Sequence, residues 1–393
     1  MARITLGVPN VSREAKRLVN DVLNSGQLSP GPKVRSFESK FAKLHGCRHG
    51  MMVNSGTDAL RIALATLKEV HKWPDGAKVL VPSITFVATA NVVIQNNLVP
   101  EFVDVGMYDY NLNPEMLERI LAPQPKGNNP YKAIIVAHLF GQPADMVSIM
   151  RIAWKYKLKV IEDSCETMLA KVRGLPVGCW GDIACFSTYM AHLLTTGVGG
   201  IATTNNEKYD EVMRSYLNHG RDPSYLPGYR CPPLTKDLLS KRFRFVRIGY
   251  SSRATEMEAA LGLAQLKELP KMIQFRQSVA SRLTKGLERF APLALPEISP
   301  GREHVFMMYP IVIREYSKIK KEDLVWHLEQ RGVETRDMLP LLSQPCYKKL
   351  VDGSLMGYSV AKWINEKGFY IPCHHAMTTK EINRIVKAFK DFL

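Results

Sequence analysis

The chain has 393 residues, 46% of them hydrophobic and 23% charged, with 53 Lys plus Arg against 37 Asp plus Glu for a net charge of +16. That length suggests two domains with enough chain to bury a core unaided, and the composition excludes wholesale disorder, collagen and coiled coil. No stretch approaches the roughly 18 uninterrupted apolar residues of a membrane span, and the positive balance favours acidic ligands without naming one.

The N-terminus, Met-Ala-Arg-Ile-Thr-Leu-Gly-Val-Pro, has neither the apolar run nor the small-residue cleavage site of a secretory signal, which predicts a cytoplasmic protein. From about residue 50 to 205, short apolar β-branched runs alternate with amphipathic segments. The runs are Lys78–Pro82, Pro100–Asp104, Ala133–Ala137, Leu158–Glu162, Ile183–Ser187 and Gly200–Thr204, and several are apolar on both faces, as strands covered by helices above and below should be. Asp58–Glu69 and Ala144–Tyr156 are long enough to be crossover helices. This succession predicts an α/β fold, a mostly parallel sheet flanked by helices, with ligands bound beyond the carboxyl ends of its strands.

Further on, the densest basic stretch, Lys241–Arg247, alternates like a strand with one apolar face and a solvated or substrate-facing cationic edge. No nucleic-acid module accompanies it, so no nucleic-acid partner is expected. Arg253–Glu288 reads as a long helix broken at Pro270, followed by a loop around 296–303, a strand at Met307–Ile313 and a helix at Lys321–Arg331. The last helix opens on the capping box Thr378-x-x-Glu381 and places Ile382, Ile385, Val386 and Phe389 on one face. The change of pattern predicts a large domain over residues 1–265 and a smaller α+β C-terminal domain over 266–393. The seven cysteines (Cys47, Cys165, Cys179, Cys185, Cys231, Cys346 and Cys373) are odd in number and contain no Cys-x-x-Cys pair. They argue against a disulfide framework, a zinc site or an iron–sulfur cluster, and predict reduced, mostly buried thiols with no metal.

Four segments have the composition of ligand-contacting loops. In Val53-Asn54-Ser55-Gly56-Thr57-Asp58, small residues open a helix whose free N–H groups can hold a phosphate, although the same residues also serve as ordinary caps. Pro82-Ser83-Ile84-Thr85-Phe86 ends a strand with an aromatic after a turn, where Phe86 is either a ligand contact or core. Val160-Ile161-Glu162-Asp163-Ser164-Cys165-Glu166 delivers a carboxylate at the end of a buried strand; an unpaired buried Asp163 would be costly, so it should face a cation or a protonated ring nitrogen. Phe186-Ser187 runs through Thr188-Tyr189-Met190-Ala191-His192 into the Gly-rich loop Thr195-Thr196-Gly197-Val198-Gly199-Gly200.

In this order and at these intervals, the segments resemble the pyridoxal-phosphate enzymes of aspartate-aminotransferase fold, specifically the DegT/DnrJ/StrS sugar aminotransferase family. The resemblance covers nearly the whole chain, continuing through Asn24-Ser25-Gly26-Gln27-Leu28-Ser29-Pro30-Gly31-Pro32, His138-Leu139-Phe140-Gly141-Gln142-Pro143 and Ile248-Gly249-Tyr250-Ser251-Ser252-Arg253. It implies pyridoxal phosphate, or its amine form pyridoxamine phosphate, as cofactor, bound in the 1–265 domain. Asp163 would pair with the pyridine nitrogen and Phe86 would stack on the ring. Gly56, Thr57 and Ser187 would hold the phosphate, and Glu166 would lie near the ring hydroxyl. It also implies a nucleotide-diphosphate sugar as substrate, glutamate as amino donor, and a homodimer with shared active sites in which Ser251 and the basic stretch before it reach the partner.

The position of the family's cofactor-linking lysine, five residues after Ser187 and eight before Gly200, is occupied by His192, and residues 174–207 contain no lysine. An imidazole cannot make the stable link that a primary amine makes, but it moves protons near neutral pH. A subgroup of the resembling family, the nucleotide-sugar 3-dehydratases, carries His here and uses pyridoxamine phosphate, so the resemblance implies removal of the C3 hydroxyl of a nucleotide-linked 4-keto-6-deoxy sugar with His192 as the proton-transfer residue. Val198 replaces the usual Glu of the Gly-rich loop, Ser251 replaces an expected Asn, and Glu166 replaces a commoner Gln, His or Asp. A sugar aminotransferase and a non-catalytic sugar-nucleotide-binding homologue therefore remain open beside the dehydratase.

Overall fold

The computed structural model describes residues 2–124, 129–226, 235–339, 341–347, 350 and 357–393; Cys231 lies outside them. Two helices, α1 (Arg13–Ser25) and α2 (Pro32–Leu44), lead into strand β1 (His49–Val53). There follow α3 (Gly56–Val70), β2 (Lys78–Pro82), α4 (Val87–Gln95), β3 (Val99–Val103), α5 (Pro114–Leu121), β4 (Tyr131–Ala137), α6 (Met146–Lys155) and β5 (Lys159–Asp163). A short hairpin, β6 (Lys171–Val172) and β7 (Leu175–Pro176), precedes β8 (Ile183–Ser187) and β9 (Gly200–Thr204).

These elements build a seven-stranded sheet of order β1-β9-β8-β5-β4-β2-β3. The β2–β3, β2–β4, β4–β5 and β5–β8 pairs are parallel; β9 alone runs against its neighbours β8 and β1. The strands carry residues buried on both faces, Ala133, Ile134, Ile135 and Val136 on β4 being fully enclosed, because helices cover both sides. At about 25 cal/mol per Å² of apolar surface, this two-sided burial is the main term holding the layers together.

Past the sheet come α7 (Glu207–Leu217), the short α8 (Lys236–Ser240), α9 (Glu256–Leu266) and α10 (Leu269–Leu287). The second, four-stranded sheet has the order β10-β11-β13-β12, from β10 (Leu293–Ala294), β11 (Tyr309–Ile313), β12 (Arg336–Asp337) and β13 (Gly368–Ile371). Its helices are α11 (Lys321–Gln330), α12 (Ser359–Lys367) and α13 (Thr379–Lys390). The capping box expected at Thr378 and Glu381 is formed, and Ile382, Ile385 and Phe389 are buried.

Two expectations need correction. Pro270 does not break the long helix; the break falls at Lys267 and Glu268, and Pro270 occupies the first turn of α10, where its missing N–H costs nothing. The basic stretch 241–247 is not a strand with a buried face: it forms turns and a single bridge between Phe245 and Arg221, and Phe243 is 82% exposed. No neighbouring strand offers it a ladder or an apolar surface, so alternation there has nothing to bury. Its cations are engaged on the surface, Lys241 with Asp237, Arg244 with Asp222 and Arg247 with Glu69.

Among the described residues, no helix is long and apolar enough to cross a membrane and no metal-ligand cluster is present. All six described cysteines are free thiols; Cys47, Cys185 and Cys373 are buried, Cys165 and Cys179 half-buried and Cys346 exposed.

Candidate active site

The carboxyl ends of β1, β2, β4, β5 and β8 all open into one cavity of about 500 Å³. Because β9 is reversed, it delivers its amino end, with Gly199 just before it, to the same edge. The cavity brings together Gly56, Thr57, Phe86, Asp163, Glu166, Ser187 and His192, along with Val198. Ser251 is not in its lining; it is exposed, bridged to Asn218, and its hydroxyl accepts a bond from Arg253 at 3.1 Å.

The first wall is the start of α3. Ser55 caps the helix by accepting from the Asp58 N–H at 3.1 Å, which leaves the N–H groups at Gly56 and Thr57 without intrahelical partners. A Cβ on Gly56 would lie 2.8 Å from both the Ser187 Cβ and the Cys165 Sγ, so only glycine lets the helix end approach β8 this closely. The result is a cradle of backbone donors and the Ser187 hydroxyl at the positive end of a helix dipole.

The floor is the end of β5. Asp163 is buried, and one carboxylate oxygen accepts from the Thr89 hydroxyl at 2.8 Å while the other is 3.3 Å from the Cys165 N–H. Thr89 is itself bonded to Thr85 at 2.9 Å, so the turn after β2 orients the carboxylate. Its neighbour Glu162, on the opposite face, is a structural anchor that accepts from the Gly178, Trp180 and Gly181 N–H groups and from His138 Nε2 at 3.1 Å. The Ala144 N–H donates to His138 Nδ1, which fixes the tautomer with the proton on Nε2. Phe86 is 59% exposed at the cavity mouth, which removes it from the core and leaves its face free.

Glu166 accepts the Phe140 N–H at 2.7 Å; burial pushes its carboxyl up to about 7, with the nearby Asp163 adding to the rise. The His192 ring is half-buried with its Nδ1 shut away from solvent and without a hydrogen-bond partner. Burial holds this imidazole down at about 4, partly offset by the backbone at Ser187 and Cys165 and reinforced by the charge of Arg276. Tyr189 stands edge-on to the ring, with centroids 6.1 Å apart. The loop carrying His192 is stapled at both ends: Thr188 and Thr196 share a hydroxyl bond of 2.6 Å, and Gln265 of α9 accepts from the Thr195 N–H and donates to its carbonyl.

Sequence reasoning assigned no role to Thr89, His138 or Cys165, nor to the far wall of Met307, Met308, Leu339 and Tyr370 supplied by the smaller sheet and its connections. His138 stood within a family-like segment and Thr89 is spaced one helical turn from Thr85, but the far wall carries no motif. Among the described residues, the lining contains two carboxylates and two imidazoles, and neither lysine nor arginine.

A family model, the DegT/DnrJ/EryC1/StrS aminotransferase family, matches residues 9–390. The chain belongs to this family. It is 30% identical to GDP-perosamine synthase of Caulobacter vibrioides, with 100% of this chain and 99% of that protein covered. It is 27% identical to GDP-4-keto-6-deoxy-D-mannose 3-dehydratase of Yersinia pseudotuberculosis, with 99% and 100% covered. Among solved structures, a DegT DnrJ EryC1 StrS aminotransferase from Brucella abortus aligns with a TM-score of 0.83 at 27% identity, over 97% of this chain and 96% of that one. A GDP-4-keto-6-deoxymannose 3-dehydratase with a trapped PLP-glutamate geminal diamine aligns at 0.87 and 23% identity over 98% and 99%, which shows a common fold.

This family member is therefore a pyridoxal-phosphate-dependent enzyme of nucleotide-sugar modification, an aminotransferase or a dehydratase. The cavity fits the cofactor: a cradle that one Cβ at Gly56 would fill, a buried carboxylate on its floor, and an unpartnered imidazole nitrogen in its wall.

Proposed function

We propose that the protein is a pyridoxamine-phosphate-dependent 3-dehydratase of a nucleotide-linked 4-keto-6-deoxy sugar. The observation that carries this reading is His192 in the wall of a cavity lined, among the described residues, by no lysine. Bound in its amine form, the cofactor supplies a primary amine for the sugar ketone and a ring that draws electrons from the carbon bearing that amine. Gly56, Thr57 and Ser187 would hold its phosphate, Phe86 would stack on the ring, and Asp163 would pair with the pyridine nitrogen and keep it protonated. Glu166 lies near the ring hydroxyl, and its burial makes it able to donate a proton as well as accept one near neutral pH. His192, held neutral by burial, would accept a proton from the cofactor's C4′ carbon.

Glutamate serves to regenerate the amine form. We also propose that the enzyme works as a homodimer with shared sites. A cavity whose described lining has no Lys or Arg has to receive phosphate-bearing ligands, and the segment through Arg242, Phe243, Phe245, Val246 and Ile248 leaves apolar side chains and cations on the surface beside Ser251. In that arrangement Ser251 and the basic segment reach the cavity of a second copy. A sugar aminotransferase is the second reading, favoured by the 30% identity to an enzyme named for an amino-sugar product.

The test is incubation with pyridoxamine phosphate, glutamate and a panel of nucleotide-linked 4-keto-6-deoxyhexoses, with products read by mass. Loss of water from at least one sugar is expected, abolished in His192→Asn with the cofactor retained. An amino sugar from the unaltered protein would instead establish the second reading.

A further inference from the structure

The chain carries a net charge of +16, yet the described lining of the active-site cavity holds neither lysine nor arginine. Part of that charge gathers around a groove of about 660 Å³ between α10 and α13. Arg282, Lys285 and Arg289 follow one another at helical spacing along α10 and just past its end, and Lys387 and Lys390 stand three apart on α13. Glycine at position 286 lets the two helices approach, since a Cβ there would lie 2.5 Å from Val386 Cγ2. Lys285 and Lys387 are the chain neighbours of this contact, so cations of both helices border one groove. All five are exposed, and among the described residues no carboxylate pairs with any of them. Exposed cations elsewhere, such as Lys155, Lys208 and Lys267, do have carboxylate partners. The one carboxylate in the groove, Asp391, is engaged by Arg331 at 3.8 Å, and Arg289 has only the Phe290 ring, 4.9 Å from its guanidinium carbon. Helix dipoles account for Lys285, Lys387 and Lys390 in the last turns of their helices. They do not account for Arg282 and Arg289, nor for five cations turned to one groove, where mutual repulsion is relieved by a bound anion.

We propose that the α10–α13 groove is a second binding site, separate from the active-site cavity, for a soluble ligand carrying a diphosphate group. Guanidinium groups meet phosphate oxygens in pairs and ammonium groups add point charges, so the mixed set suits a compact, multiply charged anion. The rise from Arg282 to Arg289 is about 10 Å at helical geometry. That length holds a diphosphate with an attached group, whereas an acidic peptide strand would lay only about three residues along it. A recess between two helices also fits a discrete anion better than the plane of a bilayer.

The test is a calorimetric titration of inorganic pyrophosphate into the full chain saturated with pyridoxamine phosphate, so that the cradle at α3 is already filled. The Val386 methyl signals are followed by NMR in parallel. Binding that moves these methyls is expected at about 0.15 M salt, weakened by about ten-fold or more in the double variant Lys285→Glu, Lys387→Glu. The control Lys16→Glu, Lys43→Glu makes the same change in net charge at exposed positions on α1 and α2 and should keep the affinity within roughly two-fold. No binding, binding that leaves the Val386 methyls unmoved, or an equal loss in both double variants would each overturn the proposal. Vesicles of anionic phospholipid and a hexaglutamate peptide form two further arms. Capture of either by the unaltered protein but not by the groove variant, without pyrophosphate binding, would assign the groove to a membrane surface or an acidic protein segment and overturn it as well. None of these readouts depends on turnover, so the proposed dehydration and this site fail separately.

Discussion

At the scale of single residues, the site sets two carboxylates to different tasks by giving them different surroundings. Asp163 is bonded by the Thr89 hydroxyl and lies beside the Cys165 N–H, whereas Glu166 has one backbone donor, and burial together with the neighbouring Asp163 pushes its carboxyl up to about 7. Asp163→Asn keeps the shape and removes the charge, so cofactor affinity and turnover should fall together, by ten-fold or more in an equilibrium dialysis and a rate assay run side by side. For Glu166 the pH sign is fixed by its elevation to about 7. Between the ordinary carboxyl range and 7, the folded protein keeps a proton that the unfolded chain releases. Its favourable contribution is thus present at low pH and is lost as pH rises through 7. Glu38, likewise pushed up to about 7 by burial, tilts the unaltered protein the same way. Glu166→Gln should therefore gain stability relative to the unaltered protein by roughly 1–3 kcal/mol between about pH 4.5 and 8, read from urea unfolding at each pH. A parallel pair of curves would remove Glu166 as a titrating group.

Among the elements, the start of α3 shows how one missing Cβ shapes a ligand cradle. In Gly56→Ala the new methyl would press on Cys165 and Ser187, both parts of well-packed walls, and the helix end must retreat. A loss of about 1–3 kcal/mol in stability is expected, with phosphate-dependent cofactor binding weakened further; calorimetric titration with pyridoxamine phosphate, compared with dephosphorylated pyridoxamine, separates the two effects. Gly199 has a related constraint, with φ at 146° and the Thr188 and Thr196 hydroxyls 2.5 and 2.6 Å from a built Cβ. The elements that sequence revealed were those with an unambiguous pattern: doubly buried runs such as Ala133–Ala137 and the capping box before α13. Strand β1 escaped because His49-Gly50-Met51-Met52-Val53 has a single β-branched residue and a glycine. The stretch 241–247 misled because alternation specifies which side chains share a face but not whether anything covers that face.

For the molecule as a whole, the cavity lies where the two sheets meet, and that is why its far wall was illegible. The motif-bearing loops fall at the strand ends of one sheet and could be read in order, but Met307, Met308, Leu339 and Tyr370 arrive from more than a hundred residues away and carry no signature beyond being apolar or aromatic. The joint is held in part by Asp104, just past β3, whose carboxylate accepts from the Val360 and Ala361 N–H groups at 3.1 and 3.0 Å and so caps α12 across the structure. Asp104→Ala should cost about 1–2 kcal/mol through the lost cap, seen as a lowered melting temperature, and should weaken cofactor binding because the far wall of the cavity loosens with it. An unchanged melting temperature would mean the two sheets are joined well enough without it. The central proposal is that His192 stands where a covalent lysine anchor for the cofactor would otherwise be. The most direct measurement is borohydride reduction of the protein saturated with pyridoxal phosphate, followed by mass mapping of its peptides. The cofactor should leave on denaturation, with no phosphopyridoxyl group on any lysine; a stoichiometric adduct on one lysine would contradict the account.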